Sequence, residues 1–166
     1  MGIRRMIRHL SAGQLAVQAA FPAHALRAIE GAIRVAEAAH SGQIRFAVEA
    51  SLDFAALRHK QTARERAIET FAQLRVWDTE HNNGVLIYLL LADRDVEIVA
   101  DRGVHAKLGQ AVWETICRDM EAAFRLGKFE EGVIAGIRAV GEHLQRHFPA
   151  QPSAPNELPD QPVILR

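Results

Sequence analysis

The sequence predicts an α/β fold built around a small mixed sheet, and three observations lead to it. Residues 85–92 form an unbroken apolar run between polar turn residues, which is typical of a buried central strand. Residues 96–100 follow after a three-residue turn, so they are predicted to pair with that strand in the antiparallel sense. Residues 43–51 alternate apolar and polar side chains, and a helical pattern separates them from the central run. This order predicts a parallel pair of strands joined by a right-handed crossover.

The composition is that of a soluble domain. The chain has 166 residues, of which 49% are apolar and 24% charged, which is ordinary for one domain with a sizeable core. Lys plus Arg and Asp plus Glu both number 20, and this zero net charge argues against nucleic acid as the main partner. The single Cys117 excludes an intramolecular disulfide and a multi-cysteine zinc site. The lone cysteine suggests a reducing compartment, so we expect a cytoplasmic protein. No stretch approaches the ~20 apolar residues of a membrane span.

Residues 1–21 are predicted to form an N-terminal helical arm. Ser11 can cap a short helix that runs to about Phe21. The apolar contacts of this helix are expected to be Leu15, Val17 and Phe21. Ahead of it, arginines alternate with apolar residues in a short basic amphipathic segment, whose apolar side comprises Ile3, Met6, Ile7 and Leu10. We expect this apolar side to pack on the domain, and contact with an anionic membrane surface is the alternative.

Residues 22–148 are predicted to be the domain proper. Pro22 suits the first turn of a helix that ends at Ser41-Gly42. Residues 53–61 are expected to form a loop or one helical turn, and 104–108 a connector.

The remaining helices are predicted from capping residues and apolar periodicity. Thr62 and Glu65 have the spacing of a capping box, which marks the start of the crossover helix. Its inner face or border is predicted to carry Ile68, Phe71, Ala72 and Arg75. Two amphipathic helices follow the sheet, at about 110–126 and 129–147. Their inner stripes are predicted to be Trp113, Ile116, Cys117, Met120 and Phe124, then Val133, Ile137, Val140 and Leu144.

Residues 149–166 are predicted to be an extended, mobile tail. Five of the six prolines fall in this segment, at positions 149, 152, 155, 159 and 162. The tail ends in a small apolar patch, residues 163–165, whose docking on a neighbour is the alternative.

The predicted strand directions bring three polar loops to one edge of the sheet. These loops are the segments before the first and second strands and the segment after the antiparallel third strand. The polar residues collected there are His40, Ser41, Gln43, Asp78, Glu80, His81, Asn82, Asn83, Asp101, Arg102 and His105. This edge lies opposite the carboxyl ends of the parallel strands, where open α/β sheets usually bind ligands.

The oxygen-rich loops suit a hard cation such as Ca²⁺ or Mg²⁺, with Asp78 and Asp101 as candidate ligands. The structural alternative is that Asp78 and Asn82 cap turns and that Asn83-Gly84 is turn chemistry before a strand.

Two other ligands remain open, and common enzyme motifs are missing. His81 and His105 are candidates for a transition metal, and Arg102 with Lys107 for an anion. The sequence has no Walker loop, no dinucleotide fingerprint, no zinc-binding histidine pair and no nucleophile elbow.

Six segments together carry a resemblance to a known family. They are Ser41-Gly42-Gln43-Ile44-Arg45, Val76-Trp77, Asn83-Gly84-Val85-Leu86-Ile87, Val96-Glu97-Ile98-Val99-Ala100, Asp101-Arg102-Gly103, and Phe124 with Gly127, Phe129 and Gly132. Over about residues 24–148 the chain resembles the TPM domain of thylakoid-lumen proteins linked to photosystem II repair and of many bacterial proteins. The resemblance implies a three-layer α/β/α sandwich, often Ca²⁺ or a similar cation at an acidic cluster, and the phosphatase activity proposed for plant members. Bacterial members are often encoded near a LemA-type membrane protein, which makes a membrane-associated partner an expectation.

The chain departs from the family pattern in three places. Gln43 stands where Glu is common, and Asn82 where Asp is frequent. Residues 101–105 replace a Gly-Tyr-Gly-type segment that is followed by an acid. The lost carboxylates are expected to weaken the attraction for a divalent cation. We expect a stand-alone form without the signal peptide and C-terminal membrane helix of many members.

Two hypotheses on function follow. The first is a non-enzymatic binding or scaffold domain that engages a protein partner, with or without a cation, at the polar edge. Its binding residues would be Ser41, Gln43, Asn82, Asn83, Arg102 and His105. The second is a divalent-metal-dependent phosphatase, in which Asp78 and Asp101 hold the metal and Arg102 the phosphate.

Overall fold

A four-stranded mixed sheet forms the centre of the molecule. The computed structural model describes residues 3–151 and 155–165. Its strands are β1 (Gln43–Glu49), β2 (Gly84–Leu90), β3 (Asp95–Ala100) and β4 (Val163–Leu165). The strand order is β3-β2-β1-β4, with β1 parallel to both β2 and β4 and with β3 antiparallel to β2. The predicted α/β fold and the predicted strand directions are therefore confirmed.

Helices cover both faces of the sheet and give the three layers that the resemblance implied. They are α1 (Ile3–Ser11), α2 (Gln14–Ala20), α3 (Ala23–Glu37), α4 (Phe54–Arg58), α5 (Ala63–Gln73), α6 (Arg102–Leu108), α7 (Ala111–Arg125) and α8 (Phe129–His147). Successive residues of β1 and β2 point to opposite faces. Phe46 and Ile87 pack in the larger core with α3, α7 and α8, whereas Ala47 and Tyr88 pack in the smaller core with α4 and α5. Both predicted stripes, on α7 and on α8, are buried.

The crossover from β1 to β2 contains α4 and α5. The helical-turn alternative for residues 53–61 is correct, and the predicted capping box of Thr62 and Glu65 starts α5. The predicted inner face of α5 is wrong at Ile68, which is 50% exposed, and at Ala72, which is also exposed, whereas Phe71 is half-buried against the smaller core. The helix instead turns a stripe of small residues toward the sheet, namely Ala63, Ala67 and Thr70.

A short helix follows β3 where a connector was predicted. Residues 104–108 belong to α6, which begins because the Asp101 carboxylate accepts a hydrogen bond from the Arg102 N–H at 2.7 Å.

The helix α1 packs on the domain through its polar side, so the predicted inward apolar side is wrong at Ile7 and Leu10; Met6 is half-buried, and the side chain of Ile3 lies outside the described residues. The Asp93 carboxylate accepts hydrogen bonds from Arg5 Nε and Arg8 Nη2, both at 2.8 Å, and lies 3.1 Å from His9 Nε2. These charge-assisted contacts fix the helix while Ile7 and Leu10 remain 59% and 72% exposed. The predicted Ser11 cap is wrong, because Ser11 ends α1 and α2 begins after Gly13. Val17 in α2 and Phe21 just after it are buried as predicted, but Leu15 is exposed.

The C-terminal segment 155–165 is fixed to the sheet, so the prediction of a mobile tail is wrong for these residues. Residues 163–165 pair with 47–49 of β1, and Leu158 is buried in the smaller core. The apolar patch docks on its own chain because β1 otherwise leaves one row of backbone groups unpaired.

Candidate functional site

The three predicted loops meet at the amino ends of β1 and β2. Gln43 N–H donates to the Asn83 carbonyl at 3.1 Å, and Asn83 Nδ2 donates to the Ser41 carbonyl at 2.7 Å. Gly103 N–H donates to the Asn82 carbonyl at 3.0 Å. The prediction of a single edge is therefore confirmed, and we call residues 40–43, 77–84 and 101–105 the polar rim.

Close backbone approach holds the rim together. A Cβ atom on Gly103 would lie 2.6 Å from the Asn82 carbonyl oxygen and 2.8 Å from that of His81. Asn82 has φ of 50°, which is the left-handed region that asparagine tolerates better than most residues. Asn82 therefore forms part of a turn, which is the structural alternative that the sequence offered for it.

The inner part of the rim holds two buried oxygens without a partner in the described residues. Asn83 is fully buried, and its Oδ1 accepts no hydrogen bond. Asp101 is 5% exposed, and while its Oδ1 caps α6, its Oδ2 accepts no hydrogen bond. Both residues flank Gly84, because Asp101 N–H donates to the Gly84 carbonyl at 2.9 Å. Buried acceptors normally have a donor, so these two oxygens have unused capacity to accept a hydrogen bond or a cation.

His40, at the start of the rim, has a third unpartnered buried atom. Its Nδ1 lies 3.0 Å from the Gly42 carbonyl, which can only accept, so Nδ1 carries the proton. Burial lowers the pKa of His40, which keeps the ring neutral. The remaining atom, Nε2, is therefore an acceptor and has no partner in the described residues.

The outer part of the rim is exposed and carries an aromatic side chain. Trp77 is 48% exposed, and the Arg75 guanidinium lies 5.8 Å from its ring centroid. Asp78 is held by Arg75 Nη2 at 2.5 Å. The other exposed side chains are Glu80, His81, Arg102 and His105. Trp77 was missed as a site residue because its apolar character suggested the end of a helix.

The predicted residues at the start of β1 are engaged within the protein. Gln43 Oε1 accepts hydrogen bonds from Glu157 N–H and Leu158 N–H, both at 2.9 Å. The Ser41 carbonyl accepts a hydrogen bond from Asn83 Nδ2, and Ser41 N–H donates to the Phe148 carbonyl at 2.9 Å. Gln43 and Ser41 still line a cleft of about 390 Å³ at this end of the sheet.

The two predicted metal ligands have different surroundings. Asp78 is exposed and paired with Arg75, whereas Asp101 is buried and caps α6. Across residues 3–151 and 155–165, no three Asp, Glu, His or Cys residues are grouped so that they could hold a metal ion. A cation at the rim would therefore have to take most of its six or more oxygens from carbonyls and water.

A larger cleft lies at the opposite end of the sheet. It measures about 1000 Å³ and lies between α1, α2 and the turn from β2 to β3. Its acidic and basic side chains are largely paired with each other, as Asp93 is with Arg5 and Arg8. We favour the rim as the site because its inner acceptors lack such partners.

Comparisons with known proteins agree with this architecture. The family model of the TPM domain matches residues 18–143. The BA42 protein of the psychrophilic bacterium Bizionia argentinensis, solved by NMR, is 30% identical, with a TM-score of 0.77 over 87% of this chain and 95% of its own. The N-terminal domain of a P. gingivalis protein is 22% identical, with a TM-score of 0.64 over 81% of this chain and 85% of its own, and shows the shared fold alone. No curated protein matches the sequence.

Proposed function

Because the chain belongs to the TPM domain family, we propose that it is a non-catalytic binding module whose polar rim holds a protein partner. The observation that carries this proposal is the pair of buried, unpartnered oxygens on Asn83 and Asp101. Both oxygens are closed to solvent, so an N–H or ammonium of a partner would reach either of them only when the rim loops part, and a small bound cation could serve the same purpose. The exposed Trp77 on the outer part of the rim supplies the kind of aromatic anchor that is enriched at interface hot spots.

The phosphatase alternative has less support. Metal-dependent hydrolysis needs several carboxylates that are free to coordinate a metal, but Asp78 is paired with Arg75, and Asp101 has only Oδ2 left because its Oδ1 caps α6. We therefore assign binding rather than catalysis to the rim.

Partner capture tests the rim. The double variant Asp78→Ala, His105→Ala removes two exposed rim side chains and should lower partner recovery from a lysate of the source cells by about tenfold or more. Recovery is measured by quantitative mass spectrometry of crosslinked complexes, because crosslinks also report which residues touch the partner. We expect the crosslinks of the unmodified chain to fall within residues 77–84 and 101–105.

A matched control separates the rim from general surface effects. The double variant Asp119→Ala, His24→Ala removes the same residue types from exposed positions on α7 and α3. It should recover the partner as well as the unmodified chain. Equal recovery by both double variants, or crosslinks outside the rim, would count against the proposal.

We further propose that α1 contacts an anionic membrane surface through its outward apolar side. Ile7 and Leu10 face away from the domain. Exposed basic residues lie close to α1 as well, because Arg5 of α1 donates a hydrogen bond to the carbonyl of Gln61, which follows the basic residues 58–60. None of the helices in the described ranges combines the length and apolar character needed to span a bilayer. A surface contact of this kind relies on apolar burial and on attraction between basic residues and lipid headgroups.

Vesicle binding checks this contact. Ile7→Ser, Leu10→Ser should weaken co-sedimentation with phosphatidylglycerol vesicles by about tenfold or more, since each apolar side chain contributes roughly 1.5–3 kcal/mol when fully buried. Val35→Ser on α3, where Val35 is 75% exposed, is the control. Unchanged sedimentation of the double variant would show that α1 is not the membrane contact.

A further inference from the structure

The two edges of the sheet are protected in different ways. At the β3 edge, side chains bond the outward backbone groups. Val96 N–H donates to Glu121 Oε1 at 3.4 Å, and the Ile98 carbonyl accepts from Arg64 Nη1 at 2.6 Å. These contacts close the β3 edge to another strand.

At the β1 edge the Ile44 N–H donates to Glu37 Oε1 at 2.6 Å, and residues 47–49 are covered by the C-terminal segment of the chain. Its strand β4 is three residues long and pairs with residues 47–49. Ahead of β4, Leu158 is 8% exposed and fills the smaller core, and the Gln43 side chain binds two backbone N–H groups of the segment. We call residues 156–165 the strap and the surface beneath it the β1 groove.

The strap is attached through an imperfect polar cluster. Asp160 of the strap interacts with Glu37 and lies 3.5 Å from Arg34 Nε. Burial, and to a lesser degree the neighbouring Asp160, raise the pKa of Glu37 to about 8. The Glu37 carboxyl therefore keeps its proton at neutral pH, which reduces its repulsion of the neighbouring Asp160.

Arg45 lies beneath the strap and is incompletely satisfied. Its Nη1 donates to the carbonyls of Pro159 and Gln161, but its buried Nε has no partner in the described residues. An unpartnered buried donor costs free energy, so the strap leaves one hydrogen-bonding group of the groove, Arg45 Nε, unsatisfied. A chain that bonds this donor could bind the same groove more tightly.

We propose that the β1 groove is a binding site for an extended peptide of a partner protein and that the strap is a displaceable occupant of it. The strap shows the chemistry such a peptide needs. It has an apolar side chain for the Leu158 pocket, a carboxylate two residues later for Arg34 and Arg45, and a short apolar strand for the edge of β1. This mode is β-strand addition, in which backbone pairing supplies affinity and side-chain pockets supply specificity.

A competition experiment in trans tests the proposal. A fluorescent peptide with the sequence of residues 155–165 is titrated with the unmodified chain and with the full-length variant Leu158→Ser, Asp160→Ala. The variant should bind the peptide about tenfold or more tightly, because its own strap no longer competes at high effective concentration. A peptide that carries the same two changes should not bind either chain.

Hydrogen exchange on the unmodified chain provides a measurement that needs no variant. Amides of residues 163–165 should exchange through local opening, at least about tenfold faster than the protected amides of the central strand β2. Equal peptide affinity for both chains, no peptide binding to the variant, or strap amides that exchange only with β2 would each overturn the proposal.

Discussion

Gly84→Ala is expected to lower the free energy of unfolding by about 3 kcal/mol or more, the upper part of the range for overpacking. Gly84 is the first residue of β2, and a Cβ atom there would lie 2.0 Å from the Val76 carbonyl oxygen. A backbone carbonyl cannot turn aside like a flexible side chain, so either β2 or the end of the crossover must move. Because Gly84 also accepts the hydrogen bond of Asp101, that movement would disturb the polar rim. Urea unfolding followed by circular dichroism measures the change.

Gly31→Ala is the matched control for this substitution. Gly31 lies inside α3, and a Cβ atom there meets nothing within 4 Å. Alanine in a helix interior is favoured over glycine by roughly 1 kcal/mol, so this variant should be more stable than the unmodified chain. A loss of less than about 0.5 kcal/mol in Gly84→Ala, the range of neutral surface changes, would contradict the close contact of β2 with Val76.

The sequence predicted the sheet because its strands are strongly patterned. Residues 85–90 are apolar on both faces, and a turn after them leaves little choice but an antiparallel return. The capping box at Thr62 was predictable because its contacts span three residues. Interactions of this local kind can be inferred from spacing alone.

The location of the rim was predicted correctly, but only some of its side-chain contacts were. Strand directions fix which loops meet, so Gln43, Asn82 and Asp101 were correctly assigned to one edge. The occupation of Gln43 by the strap was not predictable, because that contact joins residues 114 and 115 positions apart in sequence. The exposure of Trp77 likewise depends on how α5 ends against the sheet.

The predictions for the two ends of the chain, the inward face of α1 and the mobile tail, were wrong for a common physical reason. In both segments, charged groups decide where the chain attaches. Asp93 fixes α1 by its basic side, and Arg45 and Asp160 fix the strap despite its prolines. Apolar periodicity and proline content contain no information on such distant charge partners, so they predicted the wrong helix face and a mobile tail.

A buried charge network joins α5 to the sheet, and breaking it is expected to cause the second large loss of unfolding free energy. Arg66 donates to both oxygens of Glu49, from Nε at 2.9 Å and from Nη2 at 3.0 Å. Tyr88 Oη donates to the same carboxylate at 2.6 Å. The hydrogen bonds from Arg66 to Glu49 raise the pKa of Arg66. Burial, together with the hydrogen bond to Glu49, raises the pKa of Tyr88. Both groups therefore hold their protons and donate to Glu49 throughout the neutral range.

Arg66→Met is expected to cost about 3 kcal/mol of unfolding free energy, because it leaves the Glu49 carboxylate buried without its cation. Methionine keeps most of the apolar stem, so lost packing contributes little. Chemical denaturation at pH 7 measures the loss. Arg125→Met removes a cation from the exposed pair with Glu121 on α7 and should change stability by less than about 0.5 kcal/mol.

The double variant Arg66→Met, Glu49→Gln distinguishes an unpaired charge from a general loss of structure. Glutamine is nearly isosteric with glutamate and still accepts a hydrogen bond from Tyr88 through its carbonyl oxygen, but it carries no charge. The double variant should therefore be more stable than Arg66→Met alone by about 1 kcal/mol or more, since a desolvated charge costs more than a buried amide. If Glu49→Gln adds to the loss instead, the contribution of Arg66 lies in packing and geometry rather than in neutralising Glu49, and the network does not hold α5 on the sheet by charge.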